Sequence, residues 1–142
     1  MCMALDLAKC IVTRCIEDGC PISNLQLQKI LYFVQKDFLK RGKIAFTDDI
    51  EAWRFGPVVP AVYYNFCGYG AMPIYMRYDD VKINVCEEDL TAIFSIVAEK
   101  RTMSPWQLVA DTHKPGGAWD VTYQGGQGDR QVIKRDLIKS EG

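Results

Sequence analysis

The residues best suited to chemistry in this sequence are its six cysteines and its one histidine, His113. A cysteine–histidine nucleophile pair, or a histidine general base, would have to use His113. Nothing close to His113 in sequence resembles an activated nucleophile. Its position at the end of a helix that should begin at Ser104 indicates instead that the imidazole caps the carbonyl end of that helix. We therefore expect no catalytic residue, and an enzyme using a cysteine and His113 is the least favoured interpretation.

The cysteine spacing argues against a metal site. No C-x-x-C pair occurs, and Cys10, Cys15 and Cys20 are five residues apart, which scatters them around a helix. The glycine-rich stretch 125–128 lacks the lysine and the strand-to-helix setting of a phosphate-binding loop, so it is interpreted as a flexible loop. We expect neither a metal nor a cofactor.

The N-terminal residues and the hydropathy pattern indicate in which cellular compartment the protein resides. Residues 1–6 lack a basic segment followed by a long apolar one, and no apolar run approaches the roughly 20 residues that span a bilayer. The sequence therefore predicts a cytoplasmic protein without a membrane partner. In that reducing compartment all six cysteines are expected to be free thiols.

The charges are nearly balanced, with 17 Lys and Arg against 18 Asp and Glu and a formal net charge of −1. Such a balance gives no general attraction for a phosphate backbone. A basic stripe formed by Lys29, Lys36, Lys40 and Lys43 could touch phosphates, but a solvated helix face has the same appearance and is favoured. Direct binding to nucleic acid is therefore not expected.

The segment Trp53-Arg54-Phe55-Gly56-Pro57 is the strongest candidate for binding a partner, together with Tyr63 and His113. Trp, Tyr and Arg are the residues from which interface hot spots are usually built. In extended chain successive side chains alternate, so Trp53 and Phe55 should point inward and Arg54 outward, beside a rigid Gly56-Pro57 turn. The aromatic residues would then serve both the core and the binding site.

Several helices must position these residues. Apolar spacing predicts a first helix over about residues 3–18. A capping box at Ser23 and Gln26 starts a second, which should end at Arg41-Gly42. Pro60 should start a short helix that Gly68 ends, and Glu87 a longer one that closes at Lys100-Arg101. Further helices are expected from Ser104 to about residue 113 and over 116–123, with a short mixed element at 131–139.

Strands are predicted to be few. Val81, Ile83 and Val85 alternate with polar residues, and Asp79-Asp80 can turn this segment back on residues 74–78, which indicates a small hairpin. Residues 43–59 are interpreted as a short strand or irregular loop. The predicted fold class is mainly α (α+β), a compact helical domain with a small β-hairpin, and residues 1–142 form one domain.

Three blocks of the sequence resemble the Panacea domain of SocA-like antitoxins, also known as a domain of unknown function in phage-associated proteins. The first block is residues 22–35, ISNLQLQKILYFVQ, and the second and most specific is residues 50–63, IEAWRFGPVVPAVY. The third runs from Leu108 through His113 to Trp119, with Ala118 where the family pattern has proline. Together these blocks cover nearly the whole chain.

The resemblance implies an antitoxin that binds a toxin encoded by an adjacent gene and holds it inactive. Some family members act instead as adaptors that deliver the toxin to a protease, so a host protease is a second implied partner. The alternative is a phage- or prophage-encoded interaction protein that blocks a host factor, using the same fold. The presence of a neighbouring toxic gene would distinguish these two functions.

Overall fold

A computed structural model describes residues 2–142 as a helical domain with one small sheet, which confirms the predicted fold class. The elements in chain order are α1 (Ala4–Glu17), α2 (Asn24–Lys40), β1 (Glu51–Trp53), β2 (Gly56–Val58), α3 (Pro60–Phe66), α4 (Glu87–Lys100), α5 (Pro105–Thr112), α6 (Ala118–Tyr123), β3 (Gln131–Val132) and α7 (Arg135–Ser140). In the described part of the chain, no helix is long and apolar enough to cross a membrane.

Two helices begin where their capping boxes predict. Ser23 Oγ accepts from the Gln26 backbone N–H at 3.2 Å, and Gln26 Oε1 accepts from the Ser23 N–H at 2.9 Å. Ser104 and Gln107 repeat the arrangement with the same two distances at the start of α5. Each box satisfies backbone donors that the first helical turn leaves unpaired, so these starts are determined locally.

Helix α2 is the central element and is surrounded on all sides. It packs against α1, α3, α4, α5, α7 and β2. Its apolar side contributes to the core, as the spacing predicts, through Leu27, Ile30, Leu31, Val34 and Phe38. The opposite side of α2 is buried as well, although it carries polar residues.

These buried polar residues of α2 bind the backbone of the irregular segments that cover them. Gln28 Oε1 accepts from the Val59 N–H at 2.9 Å. Gln35 bonds both the Ala45 N–H and the Phe46 carbonyl at 2.8 Å. The side chains thereby satisfy backbone groups that would otherwise be buried without partners.

The interpretation of four lysines as a solvated stripe is wrong for Lys29, whereas Lys40 and Lys43 are exposed as that interpretation expects. Lys29 is completely buried, and the other three amines are each engaged with the protein: Lys36 with Gly142, Lys40 with the Lys139 carbonyl and Lys43 with Asp89. The prediction failed at Lys29 because it assumed that the polar side of an amphipathic helix faces water, whereas α2 has neighbours on that side too.

The predicted hairpin at residues 74–85 is also wrong, because neither segment forms a strand. The chain there lies on other elements: the Ile74 N–H bonds the Ile22 carbonyl, and the Tyr78 N–H bonds Thr13 Oγ1 of α1. Its alternating burial thus comes from packing against helices. The hairpin is instead β1–β2, within residues 43–59, and β3 joins it to give the antiparallel order β2-β1-β3.

Candidate partner-binding site

The β1–β2 hairpin places Arg54 and Phe55 at its tip. Trp53 pairs with Gly56 across the two strands, so the turn consists of Arg54 and Phe55. The predicted Gly56-Pro57 turn therefore lies two residues too far along the chain. The predicted alternation also fails at Phe55, which is 46% exposed, because the extended chain ends at Trp53. Arg54 is exposed as expected.

An exposed aromatic pair forms the outer part of the site. The Phe55 ring meets the Trp106 ring edge-on, with 5.6 Å between centroids, and Trp106 is 62% exposed. The Arg54 guanidinium lies over the Phe55 ring at 5.3 Å. Trp106 follows Pro105 in the first turn of α5, so the capping box at Ser104 fixes its position.

A second aromatic group lies behind the tip. Trp53 is half-buried, with its ring 5.0 Å from Tyr63 and 5.9 Å from the exposed Tyr64. The Arg130 guanidinium covers the Trp53 ring at 4.1 Å and donates to the Tyr64 hydroxyl at 3.2 Å. We name the outer residues of both groups the hairpin patch: Trp53, Arg54, Phe55, Tyr64, Trp106 and Arg130.

The inner side of the hairpin rests on a buried lysine. Lys29 Nζ donates to the Pro57 carbonyl at 2.9 Å, and burial lowers the pKa of this amine to about 7. Gly56 adopts φ +116°, and a Cβ there would lie 2.9 Å from both Lys29 Nζ and Thr112 Oγ1. Glycine is therefore required both for the backbone conformation and for the close approach of α2 and α5.

His113 occupies the C-terminal end of α5, as predicted, but its ring does not cap the helix carbonyls. The imidazole stacks on Trp119 with 3.6 Å between centroids, and Trp119 Nε1 donates to the Trp53 carbonyl at 2.7 Å. Burial lowers the pKa of His113, the charge of Lys29 lowers it further, and a hydrogen bond with the Phe55 backbone opposes both effects. The neutral ring thus supports the hairpin from below.

The structure brings together all seven residues that the sequence singled out, but in two layers. Arg54, Phe55 and part of Trp53 face solvent, Tyr63 is half-buried, and Gly56, Pro57 and His113 support them. Sequence reasoning missed Trp106 and Arg130, which are distant in sequence, and misplaced Lys29. No local signal distinguishes the exposed Trp106 in the first turn of α5 from Trp119, which lies in the first turn of α6 and is buried.

The chemistry of the site suits contact with a macromolecule. Aromatic rings and arginines with exposed faces can bury a large area against a partner and bond its acidic or carbonyl groups. Among residues 2–142, no three His, Cys, Asp or Glu side chains are grouped so as to hold a metal ion. The sulfur–oxygen contacts of Cys2, Cys10 and Cys67 are all to backbone carbonyls.

Comparison with known proteins gives two matches. A family model described as "Antitoxin SocA-like, Panacea domain" matches residues 27–120. The curated protein "Antitoxin SocA" from Caulobacter vibrioides (strain NA1000 / CB15N) is 37% identical to the chain over 118 residues, covering 74% of this chain and 62% of that relative. The chain thus spans less than two thirds of the relative's length. No solved structure matches significantly. The family match includes the hairpin, Lys29, Trp106 and His113, whereas Arg130 lies beyond it.

Proposed function

Because this chain belongs to the family of SocA-like antitoxins with a Panacea domain, we propose that it neutralises a toxic protein by direct protein–protein contact through the hairpin patch. The toxin is the product of an adjacent gene. The observation that carries this assignment is the exposed pair Phe55 and Trp106, held together at 5.6 Å beside Arg54.

The support beneath this pair favours a preformed binding surface. Lys29 holds Pro57, and Trp119 holds the Trp53 carbonyl, so both hairpin strands are tied to helices by side-chain hydrogen bonds. Large rings on a rigid support lose little conformational freedom on binding, which leaves more of the contact energy as affinity. A rigid patch of this kind suits tight occlusion of a partner.

We propose occlusion in preference to delivery to a protease. An adaptor needs one surface for its cargo and another for the protease, whereas occlusion needs only the hairpin patch. A second exposed apolar group exists at Met72, Tyr75 and Met76, but the arginine that follows it, Arg77, is already paired with Glu17 and Asp79. Occlusion would be contradicted if the toxin were degraded rapidly in cells that contain the antitoxin and if deleting a protease prevented this degradation.

The alternative is a phage- or prophage-encoded protein that blocks a host factor through the same patch. The two functions differ in the partner, so the product of the adjacent gene discriminates them. A toxin–antitoxin pair requires that this product arrests growth alone and binds the chain when the two are co-expressed. A harmless neighbouring product would favour the alternative.

We propose no catalytic step. His113 is stacked on Trp119 and held beside the Phe55 backbone, so its ring is committed to supporting the hairpin. A general base must reach the proton that it abstracts, and this ring faces a tryptophan.

The test is co-expression of the chain with the adjacent gene product, followed by calorimetry on the purified pair. Phe55→Ala and Trp106→Ala should each weaken binding by about 2 kcal/mol or more, roughly thirtyfold, because each removes a central aromatic contact. Tyr75→Ala is the matched control, since Tyr75 is 75% exposed outside the patch. Unchanged affinity in both patch variants would refute the proposed surface.

A further inference from the structure

A narrow cleft opens behind the hairpin tip and has an unusual charge balance. Its volume is about 180 Å³, and its lining includes Trp53, Tyr63, Arg54, Arg130, Lys29 and Asp129. Three of these residues are basic and one is acidic, in a chain whose formal net charge is −1. Basic residues are therefore concentrated here.

The two arginines of this cleft have no carboxylate partner. Arg14, Arg41, Arg77 and Arg101 each form an ion pair with an acidic side chain. Within residues 2–142, neither Arg54 nor Arg130 has a carboxylate oxygen within the 4.0 Å of an ion pair. The pKa of Arg130 is raised mainly by its hydrogen bond with Tyr64 and less by the more distant charges of Asp129 and Glu51. The guanidiniums instead lie over the rings of Phe55 and Trp53.

Arg130 is also held in a costly backbone conformation. Its φ is +66°, in the left-handed region that L residues other than Asn and Asp seldom adopt, and its N–H bonds the Ala52 carbonyl at 2.7 Å. This backbone conformation is unfavourable for an L residue with a side chain, and the surrounding structure must offset its cost. The hydrogen bond to β1 thus holds the Arg130 backbone beside Trp53, and the guanidinium lies over the Trp53 ring at the edge of the cleft.

Lys29 provides an independent indication of what the cleft accepts. It lines the cleft, is fully buried, and has no carboxylate within ion-pairing distance among the described residues. Burial without a counter-ion disfavours the charged form of this amine, and an anion in the adjoining cleft would stabilise that form.

We propose that the hairpin cleft receives an acidic side chain of the toxin, an Asp or Glu that bonds Arg54 and Arg130, with an adjoining apolar residue against Trp53. Arginine is suited to this because its planar guanidinium can bond both oxygens of a carboxylate. This assignment rests on the proposed function, since the toxin supplies the acidic group. Arg130 lies beyond the residues that the family model matches, whereas Arg54 lies within them.

The first test needs no toxin. Two capped peptides, Ac-Leu-Glu-Leu-NH2 and Ac-Leu-Gln-Leu-NH2, are titrated into the isotopically labelled full chain while NMR follows the arginine Nε–H and tryptophan indole signals. The glutamate peptide should shift the signals of Arg130 and Trp53 at millimolar concentration, and Arg130→Gln should abolish the shift. Equal shifts with the glutamine peptide, or no shift with either, would overturn the proposal.

The second test uses the purified toxin pair at low and high salt. Arg130→Gln should weaken binding about tenfold and reduce its salt dependence, since screening acts on the contact that the variant lacks. Arg130→Lys should restore part of the affinity. Arg77→Gln is the control, because Arg77 is already paired with Asp79 and Glu17. Should Arg130→Gln prove misfolded by circular dichroism, Arg54→Gln gives the same readout.

The two proposals fail in different ways. Loss of binding in Trp106→Ala with wild-type affinity in Arg130→Gln and Arg54→Gln would refute the acidic anchor and leave the hairpin patch in place. Wild-type affinity in all of these variants would refute the patch itself.

Discussion

Lys29 Nζ donates a hydrogen bond to the Pro57 carbonyl oxygen at 2.9 Å, so the central helix α2 is joined to the edge strand β2 of the hairpin by one buried amine. Proline suits this position because an edge strand needs no ladder N–H there. The amine is removed from water, and desolvation lowers its pKa from 10.5 to about 7. The site therefore contains a lysine that changes charge near neutral pH.

The first prediction concerns stability against pH. The unfolded chain keeps the Lys29 proton up to about pH 10.5, whereas the folded chain releases it near pH 7. Between these values the unfolded state binds more protons, so the free energy of unfolding should rise with pH. Relative to Lys29→Met, the wild-type protein should gain about 2 kcal/mol between pH 7 and pH 9. Urea unfolding at each pH measures the difference.

Tyrosines and cysteines titrate in both the wild-type protein and Lys29→Met. Their contributions to the free energy of unfolding therefore cancel in the difference between the two proteins. Lys40→Met is the control for loss of a lysine, because Lys40 is exposed. A constant difference between wild type and Lys29→Met across this range would show that Lys29 stays charged in the folded protein.

The second prediction concerns Gly56. Gly56→Ala should lower the free energy of unfolding by about 2–4 kcal/mol, because the new Cβ combines a strained positive φ with contacts of 2.9 Å to Lys29 and Thr112. Gly42→Ala separates the two causes, since Gly42 has φ +75° with nothing within 4 Å of an added Cβ. Denaturant unfolding should show a clearly larger cost at position 56. Equal costs would mean that the neighbours of Gly56 move aside freely.

The third prediction is that His113 is structural. His113→Ala removes the ring stacked on Trp119 and should cost about 1–2 kcal/mol of stability. The lowered pKa of His113 means that the unfolded chain takes up this proton first, so stability should fall as pH drops below about 6.5 in the wild-type protein and less in the variant. Thermal unfolding between pH 5 and 7 tests both points. An unchanged melting temperature together with lost toxin binding would place His113 in the interface instead.

The fourth prediction concerns Glu141, which is buried against α2. Its Oε2 accepts from the Tyr32 hydroxyl and from the Ala118 N–H at 3.3 Å, while Oε1 lies 3.6 Å from Lys36 Nζ. Glu141→Ala would leave these buried groups unpaired and should destabilise the fold by about 2–4 kcal/mol. Glu99→Ala, at a side chain that is 72% exposed, should change stability little. Chemical denaturation of both variants is the measurement, and matching midpoints would contradict the prediction.

Local sequence was sufficient to predict the helices that carry the site. Ser23 with Gln26, Ser104 with Gln107 and Pro60 each start a helix where the sequence places it, because capping involves groups three residues apart. Burial of Leu27, Ile30 and Val34 followed from their spacing. The partner-binding candidates Arg54 and Phe55 were chosen from the sequence by residue type, but their placement together in the hairpin turn was not predicted.

Strand pairing and the fate of Lys29 were decided only by the tertiary structure. Alternation at Val81, Ile83 and Val85 indicates an extended chain, but a strand needs a partner, and this segment packs on helices instead. Likewise, the local sequence around Lys29 does not show whether this lysine is buried or in water. Its burial depends on the hairpin, which lies some 28 residues further along the chain and covers the polar face of α2. Capping and helix periodicity depend on neighbours within four residues, whereas burial, pairing and pKa depend on distant segments that meet only after folding.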